Sequence, residues 1–197
     1  MAAILVGTND VGDTADSAAT IYTRIDALAS AAEAEGAHVL LLGLLPRGGD
    51  STWTALEEQR RLALNALLEA REGSTYVDTD TPLRETGAAS GTAWAADTSY
   101  SVGDRRVNDS WKLYIVATAG TSASSGGPTG TGTEIADGTV VWTYLPLLAT
   151  SAGGAYDGVH PNATGQGVIA STVDTAAEAA GLCWGPRGGR PDTSALP

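Results

Sequence analysis

Four apolar residues, Ala3, Ile4, Leu5 and Val6, run without interruption into the polar segment Gly7-Thr8-Asn9-Asp10. The run is too short for a helix and predicts a buried strand that ends in a loop. Residues 16–35 then carry Ile21, Ile25, Leu28 and Ala32 at helical spacing, with Gly36 placed to close the helix. A second apolar strand is expected over 38–42, turning at Pro46, Arg47, Gly48 and Gly49. A second helix follows over 52–71, with Leu56, Leu64, Leu67 and Leu68 inward and Gly73 behind it. A third strand spans 75–78. Strands alternating with helices imply an α/β fold with a parallel sheet and right-handed crossovers.

Past residue 86 the helical period disappears. Residues 87–148 are rich in Gly, Thr and Ser and hold Trp94, Tyr100, Trp111, Tyr114, Trp142 and Tyr144. Apolar runs over 112–118 and 139–144, separated by turn-rich sequence, predict a small all-β domain inserted into the α/β chain. Residues 154–167 read as a polar loop, 168–180 as a last helix, and 183–197 as an extended tail.

Composition narrows the function classes. The formal net charge is −12, and the charged fraction is only 17%. A pI near 4.3 argues against nucleic-acid binding, which needs clustered Lys and Arg, and against a polybasic attachment to membranes. The single cysteine excludes an intrachain disulfide and a Cys-based zinc cluster. No apolar run is long enough for a membrane insertion, and no basic-then-apolar leader reads as a signal peptide. His38 opens an apolar strand and reads as a strand-end residue. The two histidines have no matching carboxylate spacing, so neither a metal nor a cofactor is expected.

The candidate chemistry joins two distant segments. Asp157-Gly158-Val159-His160-Pro161-Asn162 precedes the last helix. An Asp three residues before a His in a turn can accept from one ring nitrogen and leave the other as a general base. Asn9, where the first strand ends, falls where α/β folds bind ligands and can serve as an oxyanion donor.

These segments carry a family resemblance. Gly7-Thr8-Asn9-Asp10 resembles the third conserved block of the SGNH (GDSL-type) hydrolases, and Asp157-Gly158-Val159-His160-Pro161-Asn162 resembles the fifth. The resemblance covers about residues 1–85 and 150–182. It implies Asn9 as oxyanion donor, His160 as base and Asp157 as the carboxylate that orients it. The family's nucleophile block and its oxyanion glycine should both precede Gly7, where the chain has six residues. The chain is therefore expected to begin at the family's third strand. Another polypeptide completes the sheet, or the fold has rearranged, or the chain is a fragment. Gly49-Asp50-Ser51 spells the nucleophile motif, but it follows the second strand. Ser51 is thus a candidate nucleophile out of order, while a cap of the next helix by Ser51 or Thr52 is preferred.

The expected fold class is α/β: a partial three-layer SGNH-like parallel sheet, without its N-terminal strands, over 1–86 and 149–182. The module at 87–148 resembles aromatic-rich β modules of phage tail fibres and, loosely, chitin-binding-type modules. That likeness implies glycan contact by Trp94, Tyr100, Trp111 or Trp142, since flat rings stack on sugar faces. Most of these rings are expected in the module's core.

Two functions follow. The preferred one is a phage virion protein, a tail-fibre, spike or decoration component on a degenerate hydrolase scaffold. Its β module would face a host-surface glycan or a neighbouring chain. Its partners would be other virion chains or a homo-oligomer completing the sheet. It would be made in the host cytoplasm and found in the virion or outside the cell after release. The other is the C-terminal part of an active carbohydrate esterase or deacetylase, with its serine supplied by missing or separate sequence.

Overall fold

The computed structural model describes residues 1–13, 15–86, 89–149 and 159–182. Asp157 and the tail 183–197 lie outside them. Three short strands, β1 (Ala2–Ile4), β2 (Val39–Leu42) and β3 (Thr75–Val77), form a parallel sheet in the order β1-β2-β3. Ile4 is level with Leu41, and Leu41 with Tyr76.

All four residues of β2 are buried, because its alternate side chains enter different layers. Val39 and Leu41 join Ile21, Ile25, Leu64 and Leu68 from the two long helices α2 (Ala18–Ala34) and α3 (Ala55–Glu69). Leu40 and Leu42 pack with Val77 and with Ala177 of the last helix, α4 (Ala163–Ala179). Helices thus cover both faces of the parallel sheet.

Local chemistry moves several boundaries. The first strand stops at Ile4, and Leu5 and Val6 are 39% and 46% exposed. The segment expected as a loop is the short helix α1 (Thr8–Asp13), whose Val11 amide bonds the Gly7 carbonyl at 3.0 Å and whose Val11 side chain is buried. The helix α3 begins at Ala55 rather than near 52. Asp50 Oδ1 accepts from the amide and hydroxyl of Thr52, at 2.9 and 2.7 Å, which holds that residue in a turn. Thr54 is the cap instead. Its hydroxyl accepts from the Glu57 amide, and Glu57 Oε2 accepts from the Thr54 amide, a reciprocal capping box. Neither Ser51 nor Thr52 caps the helix.

Leu28 and Leu56, expected inward, are 50% and 55% exposed. The buried stripe of α3 runs instead through Ala55, Glu58, Arg61, Leu64 and Leu68. Helix α4 starts five residues before its expected position, at Ala163, with Asn162 Oδ1 accepting from the Gly165 amide at 3.0 Å. Gly165 and Gly167 lie inside this helix, where their low propensity hides its first turns from a periodicity reading.

A 3-10 turn over Thr81–Leu83 leads into the β-rich region. There β5 (Arg105–Asn108), β6 (Lys112–Thr118), β8 (Ile135–Asp137) and β9 (Val140–Tyr144) form an antiparallel sheet in the order β5-β6-β9-β8. Two further strands, β4 (Ser99–Tyr100) and β7 (Gly120–Thr121), pair separately. Leu113 and Ile115 enter the core of α2 and α3, while Tyr114 and Val116 enter a second core with Tyr100, Val140 and Trp142. Arg105 ties the two regions together by donating to the carbonyls of Gly48, Asp50 and Trp53 at 3.0, 2.7 and 2.6 Å.

Candidate active site

The C-terminal ends of β1 and β2 and the segment entering α4 converge on one cleft of about 220 Å³. Leu5, Thr8 and Asn9 come from the first of these, Leu45 and Arg47 from the second, and Val159, His160 and Pro161 from the third. Clefts at this edge of a parallel sheet are where open α/β folds bind ligands. Asn9 and His160, which belong to motifs at opposite ends of the chain, therefore line the same space. Both are exposed rather than locked in the core. Gly7 carries the turn that brings Asn9 there. Its φ is +107°, and a Cβ on it would sit 3.3 Å from both Ile25 and Leu64.

Two further lining residues carry polar chemistry, Thr8 from inside the first motif and Arg47 from outside both. Arg47 brings a guanidinium to the wall, with Nη2 2.7 Å from Asp50 Oδ2 and the guanidinium carbon 4.7 Å from the Trp53 ring centre. Its Nε is buried and has no hydrogen-bond partner among the described residues. Burial works to raise the Asp50 pKa, but hydrogen bonds from Thr52 and Arg47 outweigh it and hold the carboxyl below its ordinary range. Thr8 contributes a hydroxyl. Position after a strand's C-terminal end marks both residues, though nothing in their spacing does.

The cleft presents an imidazole from His160, a carboxamide from Asn9 and a guanidinium from Arg47. That is the equipment for activating a nucleophile and holding an oxyanion. No serine lines it among the described residues. Ser51 sits exposed in the Asp50 turn and is not part of the cleft wall. The candidate carboxylate Asp157 falls outside the described residues. His38 lies apart, its Nε2 2.9 Å from Thr75 Oγ1 across neighbouring strands.

The four aromatic candidates separate sharply. Trp142 is fully buried and Tyr100 is 4% exposed, their rings meeting edge to face with centres 5.0 Å apart. Both are core, so their faces are closed to a glycan. Trp94 is half-buried, and its indole N–H donates to Asp137 Oδ2 at 2.7 Å. Trp111 alone of the four is open, at 57% exposure. Among the described residues no helix is long and apolar enough to cross a membrane. No family model matches the chain, and neither the curated proteins nor the solved structures contain a match.

Proposed function

We propose that the cleft is an ester-hydrolase site of the SGNH type, directed at acyl esters on surface glycans. The observation that carries this reading is the meeting of Asn9 and His160 in one cleft at the sheet's C-terminal edge. His160 acts as the general base; the family resemblance assigns the orienting carboxylate to Asp157, which lies outside the described residues. Asn9 and Arg47 hold the oxyanion that forms when the ester carbonyl is attacked. The attacking group is water in the chain alone. In the complete assembly it is a serine brought by polypeptide pairing with β1. That strand pairs only with β2 among the described residues, and Ala3 within it and Leu5 and Val6 just after it are exposed. An apolar strand edge left open favours pairing with a further strand.

The test is hydrolysis of p-nitrophenyl acetate. The chain should show slow turnover above buffer that is abolished in His160→Ala and falls at least about tenfold in Asn9→Ala. Turnover that survives His160→Ala unchanged would overturn the reading.

A second reading, a virion surface protein on a degenerate hydrolase scaffold, is favoured by the cleft wall holding no serine among the described residues. On that reading the acetate ester is not turned over at all, and antibodies to the β-rich region label phage particles.

A further inference from the structure

The turn from β5 to β6 holds Asp109, Ser110 and Trp111 at φ of +41°, +62° and +67°. Three successive non-glycine residues in the left-handed region are a conformation that L-residues avoid and that persists only when neighbours enforce it. The enforcement is visible. Asp109 Oδ2 accepts from Lys112 Nζ at 2.8 Å and from the Gly130 amide at 2.9 Å. The Trp111 carbonyl accepts from the Ala89 amide at 2.9 Å. Bonds that hold such a turn in place end by presenting the chain's most exposed aromatic candidate to solvent. Packing alone would bury a tryptophan.

Trp111 lines a recess of about 420 Å³, together with Tyr144, Arg84, Lys112, Thr81 and Ser110 among others. This volume lies within the roughly 300–1,000 Å³ range of small-molecule sites. The recess shares no lining residue with the cleft that holds His160. A second recess of about 210 Å³ adjoins it through Ser110 and Trp111, so the tryptophan stands between two depressions. An extended ligand, longer than one ring, fits that arrangement.

Both cations of the larger recess already have carboxylate partners. Arg84 Nη2 is 2.6 Å from Asp80 Oδ2, and Lys112 Nζ is 2.8 Å from Asp109 Oδ2. Their charges are therefore balanced locally. The Arg84 contact to Asp80 engages Nε and Nη2, two of the five guanidinium N–H groups being enough for it. Fixed donors beside fixed acceptors suit hydroxyl groups better than an anion. An exposed indole face suits the C–H face of a pyranose ring.

We propose that this recess binds a neutral oligosaccharide, with one ring stacked on Trp111 and its hydroxyls bonded by Arg84 and Lys112. The site does not depend on the ester-hydrolase reading, because it uses none of that cleft's residues.

The test uses the full chain against short chito-, cello-, malto- and manno-oligosaccharides, with uronate-containing chains as comparison, read by titration calorimetry. The wild type should bind at least one neutral series. Trp111→Gly should weaken that binding at least about tenfold and leave the melting temperature unchanged or higher, because glycine accepts the left-handed turn. Trp111→Tyr, which keeps a flat ring, should recover most of the affinity. His160→Ala should bind as the wild type does, so loss of esterolysis and loss of sugar binding are separable. Three results would overturn the proposal: no binding to any neutral series, binding unchanged in Trp111→Gly, or binding confined to the uronate chains.

Discussion

Arg61 Nη1 lies 2.9 Å from Asp80 Oδ2, with the two side chains 0% and 5% exposed. Arg61 also holds Glu58 at 2.7 Å and the Leu44 carbonyl at 2.7 Å, and Asp80 also holds Arg84. The network fastens α3 to the chain leaving β2 and to the 3-10 turn after β3. Removing one member leaves buried charge unpaired, which costs about 3–5 kcal/mol. Arg61→Leu is therefore expected to lose several kcal/mol in urea unfolding at pH 7.

The same network sets an acid limit. Burial alone would raise the Asp80 pKa, but the Arg84 hydrogen bond and the Arg61 charge outweigh it and the pKa is lowered. A depressed carboxylate stabilises the fold fully above its unfolded value of about 3.9, and that stabilisation is lost as pH falls through the lower folded value. Stability should therefore decline on acidification below about pH 4. Asp80→Asn should be less stable at neutral pH and flatter across that window. Urea midpoints at pH 7 and below pH 4 measure both.

Asp137 is the hinge of the aromatic core. Its Oδ2 accepts from the indoles of Trp94 and Trp142 at 2.7 and 3.1 Å, and its Oδ1 from the Ala123 amide at 2.9 Å. Asp137→Ala leaves the buried Trp142 indole N–H without a partner, at about 1–3 kcal/mol, and releases the half-buried Trp94 indole and Ala123 amide. The expected outcome is a lower melting temperature with a red-shifted tryptophan emission as Trp94 gains solvent.

Gly138 and Gly103 both have positive φ, at +65° and +89°. A Cβ at Gly138 would collide with the Thr121 carbonyl and the Ala123 amide, whereas nothing lies within 4 Å at Gly103. Gly103→Ala should lose only the left-handed penalty of about 1–2 kcal/mol. Gly138→Ala should lose clearly more, and paired thermal melts decide it.

The start of α3 offers a further comparison. Thr54→Ala breaks the capping box and should cost about 1 kcal/mol. Ser51→Ala should stay within about 0.5 kcal/mol of wild type, since Ser51 is an exposed turn residue. It should also leave any acetate-ester turnover unchanged. A large activity loss in Ser51→Ala would restore it as a nucleophile.

The parallel sheet and its long helices are legible in the chain because Val39 to Leu42 and the Ile21, Ile25 stripe obey simple periodicity. Polarity misleads where charges cancel. Glu58 and Arg61 lie on the buried stripe of α3, so Leu56, a residue of the right chemistry, is left outside. The cleft is legible through Asn9 and His160 because one follows the end of β1 and the other precedes α4, which brings both to the C-terminal edge of the sheet. Arg47 is not, since a lone arginine after a Pro carries no pattern. The aromatic residues were legible as a group and not one by one. Whether an indole is core or surface is decided by a turn such as 109–111, whose left-handed φ values no composition suggests for Asp, Ser and Trp.

Strand β6 is a wall shared by two cores. Cutting out 87–148 would strip Leu113 and Ile115 from the helices, and it would also remove the Arg105 anchor from the carbonyls around Trp53. What remained would be a helical layer with an uncovered apolar side. The β-rich region is thus no exchangeable cassette. The two cores must melt in one cooperative transition, and sequence change in either is constrained by the other.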